Sequence, residues 1–112
     1  DNDDFRRGQP TNHKVYGEAQ ALLAGDGLLT LAFGVLAHAE SPTIGRVVQL
    51  LSQAAGPAGM VGGQILDIEA LHPTEDQLSQ IHARKTGALI AVAVEGAAVL
   101  VGAAKADVQR LA

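Results

Sequence analysis

Apolar residues fill two long stretches of the chain, residues 15–39 and 88–104, and each stretch carries a carboxylate near its middle, Asp26 and Glu95. Apolar positions in residues 15–39 cover nearly the whole circumference of a helix, which is typical of a central helix in a bundle. A charge at the centre of a membrane costs about 2.5–3.5 kcal/mol, so the pattern favours buried bundle helices over transmembrane segments. A buried Asp26 needs a hydrogen-bond partner, and a structural hydrogen bond is favoured over a ligand role.

Shorter helices are predicted between these stretches. Ser41 and Pro42 suit the N-cap and first position of a helix that runs to about residue 55. Its predicted buried side consists of Ile44, Val47, Val48, Leu50 and Leu51, with Arg46 and Gln49 outside. A further helix covers about residues 57–71, residues 72–76 form a turn and cap, and a long last helix runs to about residue 103, with a short helix near Lys105. The short connections predict a single all-α domain, a bundle of long antiparallel helices.

One lysine of the last long helix lies on its apolar side. At 100° per residue, Lys85 falls on the apolar stripe, whereas its neighbour Arg84 falls on the other side. The stripe consists of Leu78, Ile81, Leu89, Val92 and Val99, and the opposite side carries Gln77, Gln80 and Glu95. A lysine placed in this way either extends to the edge of the core or faces a buried anion.

A second polar pair lies in the helix predicted at residues 57–71. Gln64 shares a face with Met60, Ile68 and Leu71, where its amide group needs hydrogen-bond partners. Asp67 lies one turn further along. Such residues either form hydrogen bonds between helices or contact a ligand, and the pattern leaves both alternatives open.

The first ten residues concentrate charge. The acidic and amide side chains of residues 1–4 are predicted to stand within one helical turn, before Arg6 and Arg7, and Gly8 and Pro10 then end the helix. Carboxylates that hold Mg²⁺ beside arginines that bind phosphate oxygens suit a polyphosphate that carries a divalent metal. The alternative is a solvated helix end whose charges compensate each other.

Composition narrows the choice of partners. The chain has 112 residues and a net charge of −4, and its few basic residues are scattered. A nucleic-acid surface needs a basic stripe, so we expect no nucleic-acid partner. The chain has no cysteine and therefore no disulfide or thiolate metal site, which suits a reducing compartment. We expect it to be cytoplasmic.

Three short motifs resemble the trans-type isoprenyl diphosphate synthases, the polyprenyl synthetase family that includes farnesyl and geranylgeranyl diphosphate synthases. They occur in the family's order and are Arg6-Arg7-Gly8 with Pro10-Thr11, Gly62-Gly63-Gln64 with Asp67, and Lys85-Thr86-Gly87. The resemblance covers essentially the whole chain but only the middle of the family's domain, so residues 1–112 look like a single, incomplete polyprenyl synthetase domain. Gln9 stands where the family usually has a lysine.

The resemblance implies roles for individual residues. Asp1 matches the last aspartate of the family's first acidic motif, which holds Mg²⁺. Arg6 matches the arginine that binds the allylic diphosphate, and Arg7 matches the one that binds isopentenyl diphosphate. Lys85 matches the lysine on the allylic diphosphate, and the hydroxyl of Thr86 would face the carbocation.

The implied reaction is prenyl transfer, in which Mg²⁺-dependent ionisation of an allylic diphosphate is followed by attack of isopentenyl diphosphate and loss of a proton. The product would be geranylgeranyl or farnesyl diphosphate, and the protein would be a homodimer without a transmembrane segment. The chain contains no DDxxD motif, so we expect these 112 residues to be inactive alone. The alternative is a non-catalytic helical subunit that regulates a synthase partner.

Overall fold

The computed structural model describes residues 3–102 together with Asp107 and Arg110. The chain divides into two compact units, Asp1–His38 and Ala39–Ala112. The predicted metal ligand Asp1 and the predicted short helix near Lys105 lie outside the described residues. Within the described part the fold is all-α, as predicted, apart from one hairpin of two short strands.

That hairpin occupies the start of the first unit. Strand β1 (Phe5–Arg6) pairs with β2 (Gln9–Pro10) in antiparallel orientation. The two residues between them, Arg7 and Gly8, have positive φ angles of 52° and 77°, as in the tight turns that suit the twist of a hairpin. The predicted helical turn is therefore wrong here, because the backbone doubles back at Arg7 instead of continuing a helix.

Two helices follow the hairpin. Helix α1 (Asn12–Tyr16) and helix α2 (Glu18–Ala37) are separated by Gly17, whose φ angle is 92°. The prediction of one continuous helix over residues 15–39 is therefore wrong at its start. A positive φ angle costs little at glycine and cannot be part of an α-helix.

Helix α2 exposes its apolar side chains. None of its residues is buried, and the exposed fractions of Leu22, Leu23 and Leu28 are 71%, 67% and 68%. The prediction of a central, buried helix is not met in this chain, and Asp26 is exposed as well. Apolar side chains of α2 therefore remain exposed in the described chain.

Length and composition alone would allow α2 to cross a membrane, since this 20-residue helix contains an 18-residue window with a mean hydropathy of 1.6. The core helix of a soluble bundle meets the same criterion. Glu18 and Asp26 both lie in this helix, and a carboxylate in hydrocarbon is costly. The absence of a transmembrane segment stays a prediction.

Residues 39–102 of the second unit form four α-helices and one π-helical turn. The helices are α3 (Ile44–Ala55), α4 (Met60–Glu69), α5 (Glu75–His82) and α6 (Ala88–Leu100). Between α5 and α6 lies a π-helical turn, Ala83–Gly87, here called the π segment. The last long helix predicted from sequence is thus interrupted where the Lys85-Thr86-Gly87 motif lies.

Helices α3 and α6 pack antiparallel. The hydroxyl of Thr43, at the start of α3, donates a hydrogen bond of 2.8 Å to the carbonyl of Val99 at the end of α6. One turn further into α3, Val47 lies opposite Gly96 of α6. A Cβ added at Gly96 would stand 3.6 Å from Val47 Cγ1, which is an ordinary van der Waals contact. The predicted buried side of α3 is confirmed in part. Val47 is buried and Arg46 and Gln49 are exposed, as predicted, whereas the other four residues of the predicted buried side are half-buried.

The start of α3 differs from the prediction. The helix begins at Ile44, with Thr43 at the N-cap, rather than at Ser41 and Pro42. The Ser41 hydroxyl instead donates a hydrogen bond of 3.0 Å to the carbonyl of Leu100. Ser41 and Thr43 therefore satisfy carbonyls at the C-terminus of α6, which lack partners within their own helix.

The cap predicted before α5 is confirmed. The Gln77 amide N–H donates to Thr74 Oγ1 at 3.2 Å, and the Thr74 amide N–H donates to Gln77 Oε1 at 2.9 Å. This reciprocal pair is a capping box, which satisfies two amide groups at the helix N-terminus. The preceding helix α4 is shorter than the predicted 57–71, since it ends at Glu69.

Candidate functional site

Helix α4 and the π segment lie in close backbone contact. A Cβ added at Gly63 would stand 2.4 Å from the backbone nitrogen of Lys85 and 2.8 Å from its Cα. Both distances are shorter than any ordinary van der Waals contact, so only glycine fits this position without a shift of the backbone. The motif Gly62-Gly63-Gln64 and the motif Lys85-Thr86-Gly87 therefore meet in one place.

An ion pair spans the same contact one helical turn further along. Lys85 Nζ donates a hydrogen bond of 2.5 Å to Asp67 Oδ2, and the two side chains are 23% and 40% exposed. The hydrogen bond from Lys85 lowers the pKa of Asp67 below its ordinary value of 3.8. Partial burial opposes this shift, and the positive charge of Lys85 adds to it.

The π segment carries the lysine and the threonine of the third motif. The amide N–H of Ala88 donates to the carbonyl of Ala83, a bond that spans five residues instead of four. Lys85 is half-buried, whereas Arg84 and Thr86 are exposed. Single π turns within helices are frequent at functional sites.

Sequence reasoning missed this turn because a count of 100° per residue assumes an unbroken α-helix. Lys85 is half-buried and Arg84 is exposed, as predicted. Beyond the π segment the prediction is less accurate, since Glu95 was expected on the outer side and is half-buried. The spacing of the apolar residues in the sequence does not indicate the π segment.

Gln64 follows directly after the glycine that contacts Lys85, and its side chain is half-buried. Its predicted apolar neighbours are not all inside: Ile68 is 72% exposed, and Leu71, at 86%, lies beyond the end of α4. Asp67 takes part in an ion pair across two elements, which corresponds to the interhelical alternative. A ligand role for Gln64 stays a prediction.

Two acidic residues of the first unit lie beside basic side chains of the same unit. Arg6 Nε lies 3.3 Å from Asp3 Oδ2 in an exposed ion pair, and His13 Nε2 lies 3.5 Å from Asp4 Oδ1. The hydroxyl of Thr11 donates to the backbone carbonyl of Asp3 at 2.6 Å. Thr11 therefore holds the segment before the hairpin in place. The ion pair of Arg6 with Asp3 corresponds to the alternative in which the charges of this stretch compensate each other.

The predicted diphosphate ligands fall in different units. Arg6 and Arg7 lie in the hairpin of the first unit, whereas Lys85 and Thr86 lie in the second. The assignment of these residues to the two diphosphate substrates stays a prediction. Within residues 3–102 and at Asp107 and Arg110, no group of three or more His, Asp or Glu side chains could hold a metal ion.

Comparison with known proteins decides the family. The family model described as polyprenyl synthetase matches residues 1–112. The chain belongs to the polyprenyl synthetase family. The assignment agrees with the three motifs, two of which the structure brings together in the contact between α4 and the π segment.

Members of this family with similar sequences are named prenyl diphosphate synthases. The farnesyl diphosphate synthase of Bacillus subtilis is 47% identical over 118 residues, which cover 99% of this chain and 40% of that protein. The geranylgeranyl diphosphate synthase of Cyanophora paradoxa is 42% identical and is matched over 39% of its length. The chain thus spans about two fifths of the length of these relatives.

A solved structure of the family has the same fold. The FPP/GFPP synthase from Zymomonas mobilis, in its apo structure, matches 98% of this chain and 42% of its own chain, with a TM-score of 0.86 and 36% sequence identity. This agreement confirms the predicted all-α, isoprenoid synthase-like fold.

Proposed function

We propose that this chain is part of a prenyltransferase that condenses isopentenyl diphosphate with an allylic diphosphate, forming farnesyl or geranylgeranyl diphosphate. The observation that carries the proposal is the contact between Gly63 and Lys85, which brings two family motifs together at a half-buried lysine. Prenyltransferase relatives of similar sequence support it.

The reaction needs positive charge where the leaving group departs. The allylic C–O bond breaks, and its electron pair leaves with the diphosphate. Lys85 and Arg6 would bind this diphosphate, and because its negative charge grows as the bond breaks, fixed cations stabilise the transition state more than the ground state. Arg7 would hold isopentenyl diphosphate through a bidentate contact to phosphate oxygens.

The carbon chemistry needs dipoles rather than nucleophiles. The double bond of isopentenyl diphosphate attacks the allylic cation, a new C–C bond forms, and a proton is lost from the adduct. The Thr86 hydroxyl would orient its oxygen toward the positive charge without forming a bond to it. Gln64 and Asp67, one turn apart on α4, would line the same cleft.

Mg²⁺ is part of the proposal as the cofactor, since polyprenyl synthetases in general use it. When bound, Mg²⁺ neutralises diphosphate oxygens and so promotes departure of the leaving group. The described residues do not by themselves offer a metal site, because no three of their His, Asp or Glu side chains lie together. Asp1 is the residue of this chain that we propose as a ligand.

The proposed protein is a cytoplasmic homodimer that has no nucleic-acid partner and no transmembrane segment. The activity is tested by supplying the complete polypeptide that carries these residues with Mg²⁺, radiolabelled isopentenyl diphosphate and geranyl diphosphate. We expect labelled farnesyl or geranylgeranyl diphosphate. Absence of labelled prenyl product with dimethylallyl, geranyl and farnesyl diphosphates alike would contradict the proposal.

A further inference from the structure

We propose that Asp67 is a positioning residue: it holds the Lys85 ammonium group in the orientation that receives the diphosphate, and it does not itself bind substrate or metal. This inference rests on the proposed function and assigns Asp67 a different role from the direct substrate contact suggested by its motif. It derives from the geometry of the contact between α4 and the π segment.

The two elements are held at a fixed separation beside this ion pair. Gly63 and Asp67 are four residues apart on α4, so they lie on the same face, one turn from each other. Gly63 touches the backbone of Lys85, and Asp67 meets the end of the same lysine side chain, with Nζ and Oδ2 2.5 Å apart. Lys85 is therefore held by α4 both at its backbone, through Gly63, and at its ammonium group, through Asp67.

A lysine needs such a constraint more than an arginine does. The lysine side chain has a flexible four-carbon stem and ends in a compact charge, whereas the planar arginine group is already organised for phosphate. A carboxylate at the end of the stem selects one direction for the ammonium group. It also favours the charged state of the amine, because an adjacent negative charge stabilises a cation.

An ammonium group can interact with more than one anion. Lys85 carries three N–H donors and can therefore hold a carboxylate and a phosphate oxygen at once. Its side chain is 23% exposed, and that of Asp67 is 40% exposed, so a ligand can approach the pair from solvent. A carboxylate repels a diphosphate, which makes Asp67 unsuitable as a direct ligand for that group.

Among the described residues, nothing near Asp67 supports a direct metal role. In the part of the chain that the structure describes, Asp67 does not belong to any cluster of three potential metal ligands. The lowered pKa of Asp67 comes first from the hydrogen bond of Lys85. Its interaction partner is thus the lysine, and through the lysine it would act on the diphosphate.

The test is a double-mutant cycle in the complete polypeptide, with Asp67→Asn, Lys85→Ala and the double variant. Asparagine keeps the shape of the side chain and removes its charge. We expect Asp67→Asn to lower kcat by about 10-fold to 100-fold, the range found when the outer partner of a metal ligand is removed. In the Lys85→Ala background the same substitution should change kcat less than about twofold, because the group through which it acts is gone.

Two further variants separate positioning from a purely structural role. Asp67→Glu keeps the charge and should restore part of the lost kcat, and Glu69→Gln, which neutralises an exposed carboxylate of the same helix, should leave kcat unchanged. The inference would be overturned if Asp67→Asn lowered kcat by the same factor in the wild-type background and in the Lys85→Ala background. An unchanged kcat in Asp67→Asn would overturn it as well.

A second readout keeps the inference separate from the proposed function. If the wild-type protein makes no prenyl product, the proposed function fails. The affinity of the same four proteins for inorganic diphosphate is then measured by calorimetry. Asp67→Asn should alter that affinity in the wild-type background and not in the Lys85→Ala background. Equal changes in both backgrounds, or no diphosphate binding by the wild type, would overturn the inference.

Discussion

Gly63 contacts the backbone of Lys85 so closely that a single added carbon would stand 2.4 Å from the Lys85 nitrogen. This contact joins a glycine-rich helix to a lysine-bearing π turn, although 22 positions separate the two residues in the sequence. The spacing of these two elements is therefore set by the absence of a side chain rather than by the shape of one.

The first prediction concerns that glycine. Gly63→Ala should destabilise the complete polypeptide by about 1–3 kcal/mol, the usual cost of overpacking a tight contact. Urea denaturation measures the change. Gly45→Ala is the matched control, because this exposed glycine lies beside Arg46 on the outer side of α3, and nothing lies within 4 Å of a Cβ there. Alanine is favoured over glycine in a helix by up to about 1 kcal/mol. Equal stability changes at both positions would contradict the close contact.

Lys85→Ala should affect the reaction far more than the fold. A diphosphate gains charge as it leaves, so removal of its cation should lower kcat/KM by about 100-fold or more, in line with the loss of one preorganised donor. The thermal midpoint should change little, because the ion pair with Asp67 is partly exposed. Arg84→Ala removes the adjacent, exposed cation and serves as the control. A large loss of stability with kcat/KM unchanged would refute this expectation.

Stability should depend on pH through Asp67. The pKa of this carboxyl group is lowered in the folded protein, chiefly by the hydrogen bond from Lys85. A group with a lowered pKa contributes stability above its unfolded value, near 3.8, and loses it as the pH falls through the folded value. The difference in unfolding free energy between wild type and Asp67→Asn should therefore be present at pH 6 and vanish in strong acid. A difference that is constant across this range would contradict the ion pair.

These 112 residues alone should not sustain prenyl transfer. The chain contains no DDxxD motif, and its described residues include no group of three potential metal ligands. The isolated chain, supplied with Mg²⁺, isopentenyl diphosphate and geranyl diphosphate, should form no product while a complete farnesyl diphosphate synthase assayed in parallel does. Sustained product formation by the isolated chain would show the expectation to be wrong.

The apolar side of α2 should drive association of the isolated chain. Leu22 and Leu28 are 71% and 68% exposed, and burial of such side chains between copies is favourable. Sedimentation velocity should show a dimer or larger species for the isolated chain, and Leu22→Ser with Leu28→Ser should shift it toward the monomer. Gln20→Ser, on the same helix, should not. A monomeric wild-type chain at high concentration would contradict this prediction.

The elements that the sequence predicted well are those with a strong local signal. The amphipathic pattern of α3 placed Val47 inside and Arg46 outside, because a single apolar face leaves one choice of orientation. The cap predicted within residues 72–76 is formed by Thr74, because a helix cap depends on neighbouring residues only. The three motifs were sufficient for the family.

The elements that the sequence did not predict depend on backbone conformation or on distant contacts. The break at Gly17 and the turn at Arg7 both need a positive φ angle, which the apolar pattern does not record. The π segment and its contact with Gly63 join parts of the chain that are far apart in sequence. For α2 the pattern indicated burial, but the described chain does not supply the partner that would cover it.

The π segment also has a consequence for insertions and deletions. A turn closed by bonds over five residues accommodates one residue more than an ordinary α-turn. If the same residues closed instead as a regular α-helix, α6 would be rotated relative to α5 by about 100°, and Gly96 would no longer face Val47 on α3. Deletion of one residue from Ala83–Gly87 would restore an ordinary α-turn and leave α6 in about its present phase. The gain or loss of one residue is therefore absorbed by the width of this one turn, whereas elsewhere in the helix it would turn α6 away from α3.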